Sequence, residues 1–251
     1  MKSVQYLWAL ALTAFFSVVA LGACSNTGET ATFVMGTSAD YPPYEFIDTS
    51  GGQEEIVGFD IDIARAIARE LEVELEIQNL DFDNLIPALE AGEVDFVMAG
   101  LSPTDERRER VDFTDIYYKG ESIILTRKGR QVTDPEALAG QRLGVQAGSI
   151  QADAATKQVP QAEIVSMTTI GELVQAVKAG TLAAAVIEAT VAQSYVAANP
   201  DLDFRTPFDA GTQGSAIALP KDSDDLERFN TILKQLQDSG EIERLIQKWF
   251  G

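Results

Sequence analysis

Arg107 and Glu188 stand where residues of their type could do chemistry. Arg107 follows Ser102-Pro103-Thr104, where a Ser or Thr would cap a short helix. A cation in the first turn of a helix opposes the helix dipole, so the placement points to a use beyond local structure. A guanidinium can make two parallel hydrogen bonds to a carboxylate. Glu188 ends the apolar run Ala183 to Ile187, which reads as a strand. The C-terminal edge of a parallel strand is where α/β folds place ligands. One residue offers a cation for an anionic group, the other an anion for a cationic one. In the run Arg107-Arg108-Glu109-Arg110, Arg108 and Arg110 read as surface charges.

Composition narrows the rest. No histidine occurs in 251 residues, which removes the commonest general base and transition-metal ligand. The single cysteine, Cys24, allows no intrachain disulfide and no cysteine cluster. No metal and no cofactor is expected. Catalysis would rest on carboxylates, Lys, Tyr or Ser. The net charge is −20, with 39 acidic against 19 basic residues, which argues against nucleic acid as a partner.

Residues 1–23 read as a signal peptide. Lys2 is their only charge, and an apolar run from Tyr6 to Leu21 is interrupted only by Thr13 and Ser17. That run is short for a membrane-spanning helix, which needs about 20 apolar residues. It ends in Leu21-Gly22-Ala23-Cys24, which resembles a bacterial lipobox and makes Cys24 the expected lipidation site. Residues 24–31 read as a flexible tether.

The elements that would position Arg107 and Glu188 alternate along the chain as in an α/β fold. Strands are expected at Phe33–Met35, Val73–Ile77, Val94–Ala99, Ser122–Leu125, Arg142–Val145, Glu163–Val165, Leu182–Ile187 and Ser215–Leu219. Helices are expected over 60–71, Leu85–Leu89, 149–157, 170–179 and 190–198. The first shows Ile61, Ala64, Ala68 and Leu71 on one face. Two further helices carry the stripes Leu226, Phe229, Leu233, Leu236 and Ile242, Leu245, Ile246, Trp249, Phe250, with Gly240 between them. The segments LIPALEAGEVDFVMAG and LVQAVKAGTLAAAVIEA echo one another: apolar helix, Ala-Gly, short turn, apolar strand. Two lobes of related build follow from that echo.

Six segments in order carry a family resemblance. They are Asp40-Tyr41-Pro42-Pro43-Tyr44-Glu45-Phe46, Gly58-Phe59-Asp60-Ile61-Asp62-Ile63-Ala64, Phe82-Asp83-Asn84-Leu85-Ile86-Pro87-Ala88-Leu89, Leu101-Ser102-Pro103-Thr104-Asp105-Glu106-Arg107, Val111-Asp112-Phe113-Thr114 and Lys248-Trp249-Phe250-Gly251. From Thr32 to Gly251 the chain resembles the family 3 solute-binding proteins of amino-acid ABC transporters. The resemblance implies a two-lobed periplasmic-binding-protein (type II) α/β fold with a ligand cleft between the lobes. Residues 32–120 and 212–251 would form the first lobe and 121–211 the second.

The resemblance also implies a function: capture of a polar or basic L-amino acid, arginine-like favoured with glutamine or others as alternatives, and its delivery to permease subunits of an ABC transporter. The protein would be a monomer, lipid-anchored outside the cytoplasmic membrane. Arg107 matches the family's carboxylate-binding arginine. Glu188 stands where the family usually has Asp and would take the ammonium. Tyr41 and Phe82 match an aromatic pair that sandwiches the ligand side chain, while Tyr44 and Phe46 are assigned to the core. Gly100 and Ser102 would offer backbone groups and a hydroxyl. Ser149 and Ile150 would cap the ligand carboxylate from the second lobe, Ile150 replacing the family's frequent Thr. Ser38 stands where some basic-ligand relatives carry Asp. Two rivals share the fold: a cyclohexadienyl or arogenate dehydratase-like enzyme with Glu188 as general acid, and an amino-acid-sensing lipoprotein.

Overall fold

The computed structural model describes residues 31–251, so the expected signal peptide, the expected lipidation site Cys24 and nearly all of the expected tether lie outside the described residues. The described chain opens with β1 (Thr32–Thr37), followed by β2 (Asp40–Tyr41), β3 (Glu45–Asp48) and β4 (Glu55–Val57), which form a small antiparallel sheet. Next come α1 (Phe59–Leu71), β5 (Glu74–Asn79), a 3-10 turn over Phe82–Asn84, α2 (Leu85–Ala91), β6 (Phe96–Val97), α3 (Asp105–Arg110) and β7 (Val111–Phe113). The chain then crosses to a second body. That body holds β8 (Ser122–Arg127), β9 (Arg142–Gln146), α4 (Ile150–Gln158), β10 (Glu163–Met167), α5 (Ile170–Ala179), β11 (Ala184–Glu188), α6 (Ala189–Ala198) and β12 (Leu202–Phe208). It crosses back to add β13 (Ala218–Pro220), α7 (Leu226–Asp238) and α8 (Glu241–Phe250).

Each body is built on a five-stranded sheet, in the order β5-β1-β6-β13-β7 for the first lobe and β10-β9-β11-β8-β12 for the second. In both, three neighbouring strands pair in parallel and the fourth, β13 in the first sheet and β8 in the second, runs antiparallel to them and to the edge strand beyond it. The repeated sequence segment becomes equivalent structure: α2 leads to β6, which pairs in parallel with β1, and α5 leads to β11, which pairs in parallel with β9. Gly92 and Gly180 close those helices at φ 71° and 77°, a left-handed conformation that costs other residues energy. The two crossing segments touch where Tyr118 bridges Ser215, with Ser215 N–H donating to the Tyr118 carbonyl at 2.7 Å.

Helix periodicity translates directly into burial. On α1, Ile61, Ala64 and Ala68 are buried and Leu71 is half-buried, but Ile63, Ala66 and Ile67 are buried as well. The wider face follows from packing on two sides, because α1 also contacts α7 and α8. Phe229, Leu233 and Leu236 of α7, and Ile242 and Leu245 of α8, are buried in the same core. The last aromatic of α8, Phe250, enters a cluster with Tyr44, Phe59 and Tyr118 at ring separations of 5.1, 5.0 and 4.4 Å. Lys248 Nζ and Trp249 Nε1 both donate to Asp62 Oδ2, at 2.6 and 2.9 Å, and tie α8 to α1.

The expected strand over Val94–Ala99 is paired only at Phe96–Val97, although all of that stretch but Asp95 is buried. The small β2–β4 sheet, β7 and β12 have no counterpart in the sequence expectations. Pro207 breaks the sequence pattern of β12, and the strand is tolerated because it lies at a sheet edge, where a missing N–H leaves no ladder bond unmade.

Candidate ligand-binding site

Tyr41, Phe82, Gly100, Ser102, Arg107, Ser149, Ile150 and Glu188 line one cavity between the two lobes. It holds about 490 Å³ of atom-free space, part of it open to solvent.

Arg107 enters from the first lobe. Its own N–H donates to the Thr104 hydroxyl at 3.2 Å, so Thr104 caps α3 and sets where Arg107 sits. The guanidinium donates from Nη1 to the Ser102 carbonyl at 2.7 Å and from Nη2 to the Gly148 carbonyl at 2.9 Å. It lies over the Phe82 ring, 5.6 Å from the centroid. Burial pushes it down to about 10. Among the described residues no carboxylate pairs with it. A mostly buried cation with carbonyl partners alone is poorly compensated, and an entering anion would improve its state. Arg108 and Arg110 lie on the surface, Arg110 paired with Glu90 and Arg108 over Phe113.

Glu188 enters from the second lobe at the end of β11, and its two oxygens divide the work. Oε2 accepts from Thr190 N–H at 2.8 Å, Thr190 hydroxyl at 2.6 Å and Val191 N–H at 3.0 Å, which caps α6. Oε1 is buried and has no hydrogen-bond partner among the described residues. Burial raises the carboxyl above the ordinary glutamate range, against the pull of those hydrogen bonds. Gly120 leaves the room that this longer acid occupies: a Cβ there would stand 2.5 Å from Glu188 Oε1 and 3.1 Å from the Tyr44 hydroxyl.

Other groups turn out partly committed. The Gly100 N–H, expected to be free, donates to Asp60 Oδ2 at 2.9 Å, because α1 presents that buried carboxylate beneath it. Ser102 Oγ lies 3.3 Å from Thr212 Oγ1. The Ser149 hydroxyl accepts from Ala152 N–H as the cap of α4 and donates to the Gln146 carbonyl at 2.8 Å. Its N–H goes to the same carbonyl at 3.3 Å. What α4 offers the cavity is therefore its opening amides at Ile150 and Gln151, which have no acceptor within the helix.

Ser38 is not brought to the cavity. A tight turn, with Asp40 N–H donating to the Ser38 carbonyl at 2.8 Å, separates β1 from β2 and overrides strand alternation. The buried Ser38 hydroxyl faces Asp40 Oδ1 at 3.5 Å, while Tyr41 turns to the cavity. Tyr44, assigned to the core, is buried there and also lines the cavity, its ring 5.6 Å from Tyr41. Burial holds both phenols well above their usual range, so they stay protonated.

Sequence reasoning missed Gly120, Glu121, Ser122, Gln146, Gln151, Thr212 and Ser215, all of which line the cavity. Gln151 Nε2 donates to Ser122 Oγ at 3.1 Å. Several of these sit on or beside the crossing segments. The available signal was the position of those segments between the lobes, since nothing periodic marks them. The assembled cavity presents a cation, an unpartnered carboxylate oxygen, aromatic walls and neutral polar groups, a set suited to a small zwitterion.

The comparisons agree with that chemistry. The model of the bacterial extracellular solute-binding proteins, family 3, matches residues 33–251. An arginine-binding extracellular protein, ArtP, of Bacillus subtilis (strain 168) is 40% identical over 252 residues, covering 97% of each chain. An ancestral arginine-binding protein solved with arginine is 35% identical at a TM-score of 0.83, covering 88% of this chain and 99% of its own. The same description applies to a structure with glutamine, 34% identical at a TM-score of 0.82, covering 88% and 98%. The chain belongs to the bacterial extracellular solute-binding proteins of family 3.

Proposed function

We propose that the protein captures a polar or basic L-amino acid, with arginine favoured, in the cleft between its lobes and delivers it to the permease of an ABC transporter. One observation carries the reading. Arg107 from the first lobe and the unpartnered Oε1 of Glu188 from the second face one cavity, each lacking a partner of opposite charge among the described residues. The ligand carboxylate would meet Arg107 and the opening amides of α4. The ammonium would meet Glu188 Oε1. The side chain would lie along Tyr41 and Phe82, whose faces also attract a cation. Glu121 lines the same cavity and supplies the acid that Ser38 does not. Because Arg107 of the first lobe and the α4 amides and Glu188 of the second all hold the zwitterion, ligand favours the form in which the lobes meet.

The names of the relatives support arginine and leave room for glutamine. Residence outside the cytoplasmic membrane, anchored through a lipid on Cys24, completes the proposal. Among the described residues no helix is long and apolar enough to cross a membrane.

The test is thermal unfolding of protein that has been unfolded and refolded to strip bound ligand. It would be scanned against the twenty L-amino acids, ornithine, citrulline and prephenate. Arginine at a hundred times its Kd should add about 2.7 kcal/mol. No shift with any amino acid would end the reading, and turnover of prephenate or arogenate would replace it with the dehydratase.

A further inference from the structure

Lobe-to-lobe contacts also form away from the cavity, and Asp40 makes two of them. Its Oδ2 accepts from the Ile170 N–H at 2.5 Å, from a residue 130 positions along the chain. Its backbone carbonyl accepts from the Tyr195 hydroxyl at 3.0 Å. Ile170 and Tyr195 lie on α5 and α6 of the second lobe, and Asp40 lies on β2 of the first. Asp40 does not line the ligand cavity.

The second lobe is prepared for this contact. α5 opens with a capping box in which Thr169 accepts from Glu172 N–H and Glu172 accepts from Thr169 N–H. Such a box leaves the first helical N–H groups without acceptors. Asp40 supplies one to Ile170 from the other lobe. Next to it in sequence, Tyr41 walls the cavity, so a single dipeptide grips the opposite lobe with one residue and faces the ligand with the other.

We propose that Asp40 is a closure latch, a positioning residue that binds the second lobe only when the lobes meet and so contributes to ligand affinity without touching ligand. The physical basis is population: ligand bound between two lobes is held in proportion to the population of the closed form. Losing an interlobe bond makes the closed form open faster and releases ligand sooner. Burial pushes the Asp40 carboxyl up to about 6, so desolvation offsets much of the benefit of its charge and the side chain serves mainly as an acceptor.

The inference rests on the amino-acid-binding reading, and its test separates the two. Stopped-flow binding of L-arginine is compared for wild type, Asp40→Ala, Tyr195→Phe and Asp40→Asn. Asp40→Ala should release arginine about ten-fold faster, ~1.4 kcal/mol, with the association rate within about two-fold of wild type. Tyr195→Phe should shift the same way by less. Asp40→Asn keeps an acceptor in place and should stay within about three-fold of wild type. In parallel, dyes on Glu70→Cys and Lys157→Cys, both exposed helix positions on opposite lobes, read the interlobe distance without ligand in a Cys24→Ser background. Asp40→Ala should lower the fraction of short distances. An unchanged release rate in Asp40→Ala, an Asp40→Asn as fast as Asp40→Ala, or a variant altered only in melting temperature overturns the latch. If wild type binds no amino acid, the binding reading fails, and the dye distances alone then decide: identical distributions in wild type and Asp40→Ala overturn the latch.

Discussion

The Arg107 guanidinium donates across the cleft to the Gly148 carbonyl at 2.9 Å, so the cation facing the cavity also fastens one lobe to the other. The approach is close on both sides of that bond. A Cβ on Gly148 would stand 2.9 Å from the Cβ of Asp83, which follows Phe82 beneath the same guanidinium. The proposed ligand contact and the lobe contact thus share one side chain.

Arg107→Ala should abolish arginine binding measured by calorimetry, a loss of about 2–5 kcal/mol for a truncated buried charge. The melting temperature without ligand should change little, because the side chain enters no apolar core cluster. Arg107→Lys should also bind poorly, since an ammonium cannot present the guanidinium's planar fork. Near-normal affinity in either variant would remove Arg107 from the site.

Glu188 allows its two oxygens to be tested apart. Glu188→Gln keeps an acceptor for Thr190 and Val191, so α6 stays capped and stability should hold to within about 1 kcal/mol. The lost charge should weaken binding by about 1.5–3 kcal/mol. Glu188→Ala should lose both. Equal effects of Gln and Ala on affinity and on melting would contradict the division of labour between Oε1 and Oε2.

Gly120→Ala places a methyl against Glu188 Oε1 and the Tyr44 hydroxyl. It should weaken arginine binding more than it lowers the melting temperature, and pairing it with Glu188→Asp, one methylene shorter, should restore part of the affinity. A fully tolerated Gly120→Ala would show that the acid moves freely.

Glu45 and Asp60 are both fully buried. Burial, and then the negative charge of Asp60, hold Glu45 well above the glutamate range. Burial also pushes Asp60 up to about 6, although Gly100 N–H and the Tyr117 hydroxyl donate to it. Glu45 therefore keeps its proton beside the Asp60 charge. A carboxyl raised in the folded state binds a proton that the unfolded chain has released, so its contribution is present at low pH and lost as pH rises through the folded value. The window opens near pH 4, where unfolded carboxyls titrate, and extends past about 6. Surface acids lowered by partners, such as Asp112 beside Lys221 and Glu90 beside Arg110, act in the opposite sense as pH falls. Glu45→Gln, neutral at every pH, should flatten the fall of the urea midpoint between about pH 5 and 8. Parallel curves for variant and wild type would refute a proton held on Glu45.

Much of this architecture was readable because burial follows pattern. Ile61, Ala64 and Ala68 on α1, and Phe229, Leu233 and Leu236 on α7, go inside as their spacing dictates. Arg107 and Glu188 were noticeable because each sits awkwardly in its own element, a cation in a first helical turn and an acid closing an apolar strand. Ser38 misled because a turn at 38–39 interrupts the extended chain, and local hydrogen bonding of that kind leaves no periodic trace. Gly120, Glu121, Thr212 and Ser215 were invisible for a different reason: their place in the cavity depends on two lobes meeting, which no local pattern encodes.

The place of β13 has a consequence for the order in which the molecule can assemble. It lies between β6 and β7 in the first sheet, yet it is made after every strand of the second. The second sheet can be completed from contiguous sequence, while the first keeps an unfilled slot with two unpaired strand edges until β13 joins it. Pulse-labelled hydrogen exchange during refolding should therefore protect β8–β12 before β6 and β7, and the reverse order would refute this. Until its last forty or so residues arrive, the nascent protein is half finished at its centre, and the escort it needs is one that shields sheet edges rather than loose ends.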